Sequence, residues 1–255
     1  SDPLLRRRAG RPHRQGGARL SPPAGIEGDV PLSRLTTIGT GGPARWFGEP
    51  ETSDELVAML RWARDAGEQV AVVGLGSNLL PADSGYPGLV LRLGGGLARI
   101  EVGDAGAVLG GGASLAAAVR LVGDAGLAGF EFACAIPGTM GGAVRMNAGA
   151  YGREIVDVLV TATVCSADGA RTLRADELGL RYRHSDLQPG EVVAEAAIAL
   201  EKDDPAAIRA RVREHQDRRT AAQPRKARTF GSVFKNPGGE LTSGQMLDAC
   251  GLRGF

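Results

Sequence analysis

Residues 129–152 have the sequence GFEFACAIPGTMGGAVRMNAGAYG, and this stretch decides how the fold is interpreted. It is rich in small residues, and Glu131 and Arg145 are its only acidic and basic side chains. Glycine lacks a Cβ atom, so a backbone with this much glycine can take positive φ angles or lie close against a flat ligand. Two interpretations remain open: the backbone covers a bulky planar ligand, or it is a tightly packed glycine loop in the core.

A second glycine-rich loop follows a short apolar segment, Val70 to Val73, which we predict to be a strand. The loop has the sequence GLGSNLL over residues 74–80. Backbone amides freed by a glycine turn can bind an anion, and Ser77 and Asn78 offer side-chain partners. The Gly-Lys-Ser/Thr ending of a Walker loop is absent, and the third glycine of a dinucleotide fingerprint would fall at Leu79. A pyrophosphate loop of another fold is favoured, with a structural turn as the alternative.

The composition excludes several classes of protein. Lysine plus arginine number 30 and aspartate plus glutamate 29 among 255 residues, so no bulk charge attracts nucleic acid or an anionic membrane. No segment approaches the roughly 18 apolar residues of a membrane span. The three cysteines, Cys134, Cys165 and Cys250, form no Cys-x-x-Cys pair and accompany no histidine cluster. We therefore expect a cytoplasmic protein with no disulfide framework, no metal site, no nucleic-acid partner and no membrane partner.

Strand and helix patterns alternate irregularly along the chain. Helices are predicted after Ser53, which can cap the first one, after Ser114, from Asp204 to about Thr220, and over Leu241–Asp248. Strands are predicted over residues 89–93, 98–102, 155–166, 171–173 and 192–200. The recurring order of strand, turn, strand, helix and strand favours an α+β fold over a regular doubly wound sheet. Residues 1–28 are rich in Arg, Gly and Pro and are predicted to be a disordered tail.

Five short motifs follow one another along the chain: TIGTGGPA at residues 37–44, VGLGSNLL at 73–80, IPGTMGGA with MNAGAYG between 136 and 152, YRHS at 182–185 and GSVFKNP at 231–237. In this order they resemble the UDP-N-acetylenolpyruvoylglucosamine reductase family, the flavoenzymes of peptidoglycan precursor synthesis. The match spans the chain from about residue 31 to its end. The short spacing between Ser185 and Gly231 resembles the shorter type of the family, which lacks a substrate-covering tyrosine loop.

The resemblance implies an FAD-binding fold of the vanillyl-alcohol-oxidase (PCMH) type, built from two α+β subdomains and followed by a substrate-binding domain. On this basis we expect subdomains at residues 29–95 and 96–201 and an incomplete substrate-binding domain at 202–255. The resemblance also implies two sets of FAD-binding residues. Those around the pyrophosphate are Gly74, Gly76, Ser77, Asn78 and Leu79; those along the flavin and its diphosphate are Ile136, Pro137, Gly138, Thr139, Gly141, Gly142 and Ala143. No covalent attachment motif accompanies the histidines or Cys134, so non-covalent FAD is expected.

The family reaction reduces the enolpyruvyl ether of UDP-N-acetylglucosamine to the lactyl ether of UDP-N-acetylmuramate. NADPH first reduces FAD and leaves, and the flavin then passes hydride to the enolpyruvyl methylene carbon. Negative charge develops on the neighbouring carbon, so the site needs a cation and a proton donor. By the motifs, Arg183 is the cation and Ser232 the proton donor, while Tyr182, Lys235 and Asn236 would contact the substrate. Outside this pattern, Arg183 would more often be a surface or ion-paired arginine and Ser232 a turn hydroxyl.

Two departures from the family pattern bear on activity. Ala135 replaces a glycine directly before Ile136, and its methyl group could crowd the flavin. The family's third catalytic residue, a glutamate near the C-terminus, does not occur in these 255 residues, so we expect the chain to bind FAD and to reduce the substrate poorly. We expect a monomer whose partner is a small UDP-sugar. The alternatives are another FAD-dependent oxidoreductase of the same fold, or a truncated or degenerate flavin-binding paralogue without full activity.

Overall fold

A four-stranded sheet holds the N-terminal part of the chain. The structure, a computed structural model, describes residues 20–222, 228 and 231–252. The strands of this sheet are β1 (Ile26–Pro31), β2 (Pro43–Gly48), β3 (Val70–Val72) and β4 (Tyr86–Leu91), in the order β1-β2-β4-β3. β1 and β2 are antiparallel, whereas β4 runs parallel to both β2 and β3. Helix α1 (Ser53–Asp65) provides the long connection between β2 and β3 that parallel strands require.

Helix α1 forms where an apolar stripe and an N-terminal cap coincide. Thr52 caps the helix, because its hydroxyl accepts a hydrogen bond from the Glu55 amide at 3.2 Å. The prediction that Ser53 is the cap is wrong by one residue, since Ser53 is already the first residue of the helix. Leu56 and Leu60 lie on one face, are 0% and 2% exposed, and pack in the same core cluster as β4. The periodic apolar pattern is thus the reason why this segment is helical.

A five-stranded antiparallel sheet holds the middle of the chain. The remaining strands are β5 (Ile100–Val102), β6 (Gly106–Gly110), β7 (Leu127–Ala128), β8 (Gly149–Ala150), β9 (Arg153–Glu154), β10 (Leu159–Ser166), β11 (Gly169–Arg174), β12 (Val192–Ala199) and β13 (Glu201–Lys202). Five of them form the sheet in the order β11-β10-β12-β6-β5, while β7 pairs with β13 and β8 with β9. One largely parallel and one antiparallel sheet, each with its own helices, confirm the predicted α+β class.

Local caps modify several of the predicted boundaries. Helix α2 (Leu115–Asp124) begins after Ser114, but this residue makes no side-chain cap hydrogen bond. β10 begins four residues later than predicted, because Ile155–Asp157 form a 3₁₀ helix with a capping box between Glu154 and Asp157. The other 3₁₀ helices are Leu32–Arg34, Gly95–Ala98, Glu131–Ala135 and Ala175–Leu178.

Residues 129–152 fold into the 3₁₀ helix Glu131–Ala135, helix α3 (Met140–Arg145) and strand β8, which pairs with β9 directly after this stretch. Phe130 and Val144 are 0% exposed and Phe132 is 2% exposed, all within the largest core cluster. The rings of Phe130 and Phe132 meet edge to face with their centroids 5.7 Å apart. The packed-core interpretation is therefore confirmed for these three side chains, whereas Tyr151 in the same stretch is exposed.

Helix α4 (Pro205–Ala222) lies against the 3₁₀ helix Glu131–Ala135. Ile208 anchors it with a side chain that is 1% exposed, and the Cys134 thiol donates a weak hydrogen bond to the Val212 carbonyl at 3.8 Å. Near its end, Nη1 of Arg219 donates to the Ala135 carbonyl at 3.1 Å. The residue that departs from the family pattern, Ala135, is thus held by α4.

The described residues at the two ends of the chain differ in burial. Residues 26–28 were expected in the N-terminal tail but belong to β1, because they pair with β2; residues 1–19 of that prediction lie outside the described residues. Near the other end, helix α5 (Ser243–Ala249) has no buried residue. Large apolar side chains there stay exposed, namely Val233, Phe234, Leu241, Met246, Leu247 and Leu252. Within the described ranges, no helix is both long enough and apolar enough to cross a bilayer.

Candidate active site

The two loops predicted to hold FAD lie in contact, although 60 residues separate them. The Ser77 hydroxyl donates a hydrogen bond to the Pro137 carbonyl at 2.5 Å. Gly74 lies so close to the second loop that a Cβ atom there would be 2.7 Å from Oγ1 of Thr139. Real Cβ atoms do not approach other atoms so closely, so the absence of a side chain at Gly74 permits this packing.

A third motif, residues 37–44, braces the first loop. Gly76 has a φ of +64°, and a Cβ atom on it would lie 1.9 Å from the Leu35 carbonyl oxygen. The Gly76 carbonyl accepts hydrogen bonds from the Thr37 amide at 3.1 Å and the Thr37 hydroxyl at 3.3 Å. Only glycine combines this left-handed backbone with so close an approach. The loop conformation is therefore fixed by residues 40 positions earlier in the chain.

A cleft of about 340 Å³ lies between the two sheets where the loops meet. Its lining is mostly apolar or glycine: residues 72–75, Arg92, Leu93, Gly111, Gly112, Thr139, Gly141, Gly142, Arg145 and residues 191–193. Glu191 pairs with Arg171 at 2.5 Å and Arg92 pairs with Glu49 at 2.8 Å. The Arg145 side chain, by contrast, has no ion-pair partner among the described residues. The cleft therefore presents one uncompensated positive charge, which attracts an anion.

The cleft contains only part of the predicted FAD-binding set. Gly74, Thr139, Gly141 and Gly142 line it. The predicted residues outside its lining are Gly76, Ser77, Asn78, Leu79, Ile136, Pro137, Gly138 and Ala143. Ala143 is 3% exposed and packs in the core, so its side chain is not available to a cofactor. Gly111 and Gly112 also line the cleft and were not among the predicted residues, although the glycine triplet at 110–112 was a signal for a close backbone approach.

The lining residues fit FAD. A Cβ atom at Gly142, which lines the cleft, would meet no atom closer than 3.8 Å, so the backbone is open to a ligand there. Gly138, just outside the lining, is also open, since a Cβ atom on it would meet no atom within 4 Å. An apolar cleft between two sheets suits flat ring systems, and glycine backbone beside a positive charge suits a diphosphate.

Arg183 occupies a second group of residues, next to α3. Its φ is +52°, which is uncommon for a residue other than glycine. Nη1 donates to Oε1 of Glu154 at 3.2 Å and to the Asn147 carbonyl at 3.3 Å, and Nη2 donates to the Gly149 carbonyl at 2.8 Å. The guanidinium carbon also lies 4.8 Å from the centre of the Tyr182 ring. Nε has no partner within the described part of the chain, which leaves one edge of the guanidinium fork available.

A tight turn carries Arg183. The Arg181 amide donates to the His184 carbonyl at 3.2 Å, and the His184 amide donates back to the Arg181 carbonyl at 2.9 Å. The Ser185 hydroxyl then donates to the Arg145 carbonyl at 2.7 Å and ties the turn to the end of α3. Hydrogen bonds before and after Arg183 thus hold its backbone at this positive φ, as expected where the surrounding structure imposes the strain.

The segment 231–236 connects the first loop to Arg183. At one end, a Cβ atom on Gly231 would lie 3.3 Å from the Ser77 carbonyl oxygen. At the other end, Nζ of Lys235 donates to the Arg183 carbonyl at 3.0 Å, and the Asn236 amide donates to the Tyr182 hydroxyl at 3.3 Å. Ser232 lies between these two ends and is exposed. The structure therefore brings Tyr182, Arg183, Lys235 and Asn236 together, with Ser232 on the connecting segment.

The Asn236 side chain is engaged locally. Its Oδ1 accepts a hydrogen bond from the Ser243 amide at 3.1 Å. The Ser243 hydroxyl donates to the Lys235 carbonyl at 2.8 Å. These contacts tie the 231–236 segment to the start of α5, so Asn236 has a structural role whatever it contributes to substrate binding.

A second cavity of about 370 Å³ lies outside the predicted site, between α4 and residues 128–132. Glu131 is 8% exposed and pairs with Arg211 at 2.8 Å. Burial raises the pKa of Glu131, but backbone amides and Arg211 hydrogen-bond its carboxylate and bring the pKa below its ordinary value. Tyr151 stacks on His215 with the ring centres 4.1 Å apart. None of these residues was assigned a role from the sequence, although a lone acidic residue in so apolar a stretch was a signal.

Comparison with known proteins identifies the fold. A family model described as an FAD binding domain matches residues 45–173, about half of the chain. The crystal structure of a UDP-N-acetylenolpyruvylglucosamine reductase from Thermus caldophilus superposes with a TM-score of 0.79 at 36% identity, covering 90% of this chain and 81% of that one. A variant of berberine bridge enzyme has a TM-score of 0.50 at 16% identity over 63% of this chain, which supports the fold alone. The predicted FAD-binding fold is confirmed.

Two sequence relatives are similar over most of the chain. UDP-N-acetylenolpyruvoylglucosamine reductase from Sphingopyxis alaskensis is 45% identical over 228 residues, which are 89% of this chain and 76% of that protein. UDP-N-acetylenolpyruvoylglucosamine reductase 2 from Symbiobacterium thermophilum is 42% identical over 234 residues, with 91% and 76% coverage. Because relatives more than 40% identical cover about nine tenths of this chain and about three quarters of their own length, the chain belongs to the UDP-N-acetylenolpyruvoylglucosamine reductase family.

Proposed function

We propose that this chain reduces the enolpyruvyl ether of UDP-N-acetylglucosamine to the lactyl ether of UDP-N-acetylmuramate, in peptidoglycan precursor synthesis in the cytoplasm. FAD, bound without a covalent link, would accept a hydride from NADPH and return it to the enolpyruvyl methylene carbon. The observation that carries the proposal is the placing of Arg183, whose guanidinium is fixed by three hydrogen bonds and keeps one edge free. Family membership and the fit of the cleft to FAD support it.

The free edge of Arg183 suits a carboxylate. Nε–H and one Nη2–H lie side by side and can donate two parallel hydrogen bonds to the two oxygens of the enolpyruvyl carboxylate. When hydride arrives at the methylene carbon, negative charge spreads from the neighbouring carbon into this carboxylate. A guanidinium already held in place stabilises that charge without having to reorganise. Arg183 would therefore both orient the substrate and lower the barrier to hydride transfer.

Ser232 would deliver the proton that completes the reduction. It lies on the segment between the first FAD loop and Arg183, and its hydroxyl makes no hydrogen bond to the described residues. A serine hydroxyl is a weak acid, and it can act here because the carbon next to the carboxylate becomes a strong base. The nucleotide would bind beside this point, in contact with Tyr182, Lys235 and Asn236. Lys235 and Asn236 already hold the 231–236 segment against the turn that carries Tyr182 and Arg183.

Anaerobic half-reactions test the proposal directly. NADPH should bleach the visible absorption of the FAD-loaded chain, and one equivalent of UDP-N-acetylglucosamine enolpyruvate should then restore it with formation of UDP-N-acetylmuramate. Because enzyme and substrate are stoichiometric, even slow hydride transfer is measurable. The control ligand, UDP-N-acetylglucosamine, has no enolpyruvyl group and should leave the flavin reduced. Recovery with dioxygen alone, and none with the enolpyruvyl nucleotide, would overturn the proposal in favour of an oxidase or a non-catalytic flavoprotein.

A further inference from the structure

Glu154 is the only side chain that holds the Arg183 guanidinium by a hydrogen bond within the described residues. The other two hydrogen-bond acceptors of Arg183 are the backbone carbonyls of Asn147 and Gly149. The Glu154 carboxylate meets Nη1 at 3.2 Å, on the side away from the free Nε edge. Nη1 is shared by Glu154 and the Asn147 carbonyl, and Nη2 donates to the Gly149 carbonyl, so Glu154 supplies the only charged acceptor among the three and its contact is the strongest constraint on the guanidinium.

Glu154 is itself fixed by its neighbours. Its Oε2 accepts a hydrogen bond from Nδ2 of Asn147 at 2.7 Å. Its carboxylate also accepts from the Asp157 amide, and Oδ2 of Asp157 accepts in return from the Glu154 amide at 2.8 Å. Both carboxylate oxygens thus have donors. The side chain cannot turn away from Arg183 without losing contacts on both oxygens.

Asn147 links Glu154 to the turn that carries Arg183. It is 0% exposed, and its Oδ1 accepts from the Val156 amide at 3.0 Å. Its Nδ2, besides holding Glu154, reaches the Arg181 carbonyl at 3.4 Å. A buried amide needs partners for all its polar atoms, and Asn147 has them. One buried side chain therefore joins the segment 154–156 to the segment 181–183.

We propose that Glu154, held by Asn147, is a positioning residue that aims the free edge of Arg183 at the substrate carboxylate. This inference rests on the proposed function of Arg183. Folding stability alone does not account for the arrangement, because the Arg183 and Glu154 side chains are 30% and 31% exposed, and such partly exposed ion pairs contribute little. The contact matters far more for the rate of the reaction than for stability, because it fixes the position of the guanidinium. A misplacement of about 1 Å in a reacting group can cost about 100-fold in rate.

The charge on Glu154 is also compatible with a second carboxylate nearby. Asn147 and the Asp157 amide donate to Glu154, so part of its negative charge is compensated before it meets Arg183. The Arg183 guanidinium carries donors on more than one edge and can therefore bind the substrate carboxylate through its free edge.

The test compares the two half-reactions of the FAD-loaded chain in Glu154→Ala. Flavin reduction by NADPH and the dissociation constant of FAD should stay within about twofold of the parent chain, because neither depends on the direction of Arg183. Reoxidation by the enolpyruvyl nucleotide should slow by about 10- to 100-fold. An unchanged rate of reoxidation would overturn the inference.

Asp157→Ala is the matched control. It removes the other half of the same capping box but no contact with Arg183, so reoxidation should stay within about twofold of the parent rate. If Asp157→Ala slows reoxidation as much as Glu154→Ala does, the effect comes from the turn and the positioning role is wrong. Should Glu154→Ala not fold, Glu154→Gln takes its place. Its amide can accept from Arg183 or from Asn147 but not from both, so an unslowed Glu154→Gln would also overturn the inference.

Arg183→Lys separates this inference from the proposed function. Alone it should slow reoxidation strongly, because a lysine cannot form the two parallel hydrogen bonds. Adding Glu154→Ala to Arg183→Lys should then cost no more than about another twofold, since Glu154 acts through Arg183. If Glu154→Ala slows reoxidation in the Arg183→Lys background as much as it does alone, Glu154 acts independently of Arg183. An Arg183→Lys chain that reoxidises at the parent rate would instead overturn the proposed function itself.

Discussion

The Ser77 hydroxyl donates to the Pro137 carbonyl at 2.5 Å, and this hydrogen bond joins the two glycine-rich loops beside the cleft. Ser77 belongs to the loop after β3, and Pro137 directly precedes the loop that leads into α3. The hydroxyl that sequence analysis assigned to the pyrophosphate is thus already engaged with protein. We infer that Ser77 contributes to FAD binding by holding the two loops together.

Ser77→Ala should weaken FAD binding about fivefold, because one hydrogen bond contributes about 1 kcal/mol and its loss lets the loops separate. Titration of the apoprotein with FAD, followed by quenching of flavin fluorescence, measures the dissociation constant. Thr172→Ala is the control, since it removes an exposed hydroxyl contact between β10 and β11, away from the cleft. Equal FAD affinity in Ser77→Ala and the parent chain would contradict the expectation.

Gly74→Ala should lower both the thermal midpoint and the FAD affinity. The new Cβ atom would lie 2.7 Å from Oγ1 of Thr139, so the two loops must move apart. Thr139→Ala removes that oxygen and should restore part of the loss in the double variant. The comparison of single and double variants by differential scanning fluorimetry measures the coupling, and strictly additive losses would show that the clash is not the cause.

Arg145→Ala should raise the FAD dissociation constant about fivefold, or about 1 kcal/mol, because it removes the unpaired cation of the cleft. It should also flatten the salt dependence of FAD binding, since a charge attraction near the surface is screened by salt. Isothermal titration at several salt concentrations gives both quantities. Arg120→Ala, on the exposed face of α2, is the charge-matched control and should change neither.

The Glu131–Arg211 pair should make the protein less stable in acid. The pKa of Glu131 in the folded state lies below its ordinary value of 4.5, so the ionised form stabilises the fold. That stabilisation is fully present above the unfolded-state pKa and is lost as the pH falls through the folded-state pKa. Glu131→Gln should therefore reduce the loss of unfolding free energy below about pH 5, as measured by urea denaturation. The control is Glu201→Gln, since Glu201 is an exposed carboxylate at the same cavity. If the unfolding free energy of the parent chain and of Glu131→Gln falls equally with decreasing pH, ionisation of Glu131 does not stabilise the fold.

Local signals in the sequence predicted four of the helices and several of the longer strands. The apolar stripe of α1 is contained in 13 residues, and its burial follows from their spacing. The loop that follows β3 at Gly74 and Gly76 was predicted because glycine is needed wherever a backbone turns to positive φ or passes close to another chain segment. The cap of α1 was placed one residue too late, since Thr52 and Ser53 have equivalent hydroxyls and only backbone geometry distinguishes them.

The candidate site was predicted in part. Arg183 and the residues around it were assigned by motif, but Asn147 and Glu154, which hold its guanidinium, received no role. Arg145 was noted only as a charge within an apolar stretch, and its place in the cleft depends on how the two sheets meet. Ala143 was assigned to the cofactor from its neighbours in the motif, whereas its side chain packs in the core.

The class of fold, the glycine loops, the helices α1, α2, α4 and α5 and the family to which the motifs point could therefore be predicted from the sequence, because caps, periodicity and glycine act over a few neighbouring residues. Which of those loops touch and which side chains hold Arg183 became clear from the tertiary structure. Contacts such as Ser77 with Pro137, or Glu154 with Arg183, join residues 60 and 29 positions apart. Their formation depends on the packing of both sheets together, and no short stretch of sequence encodes that packing.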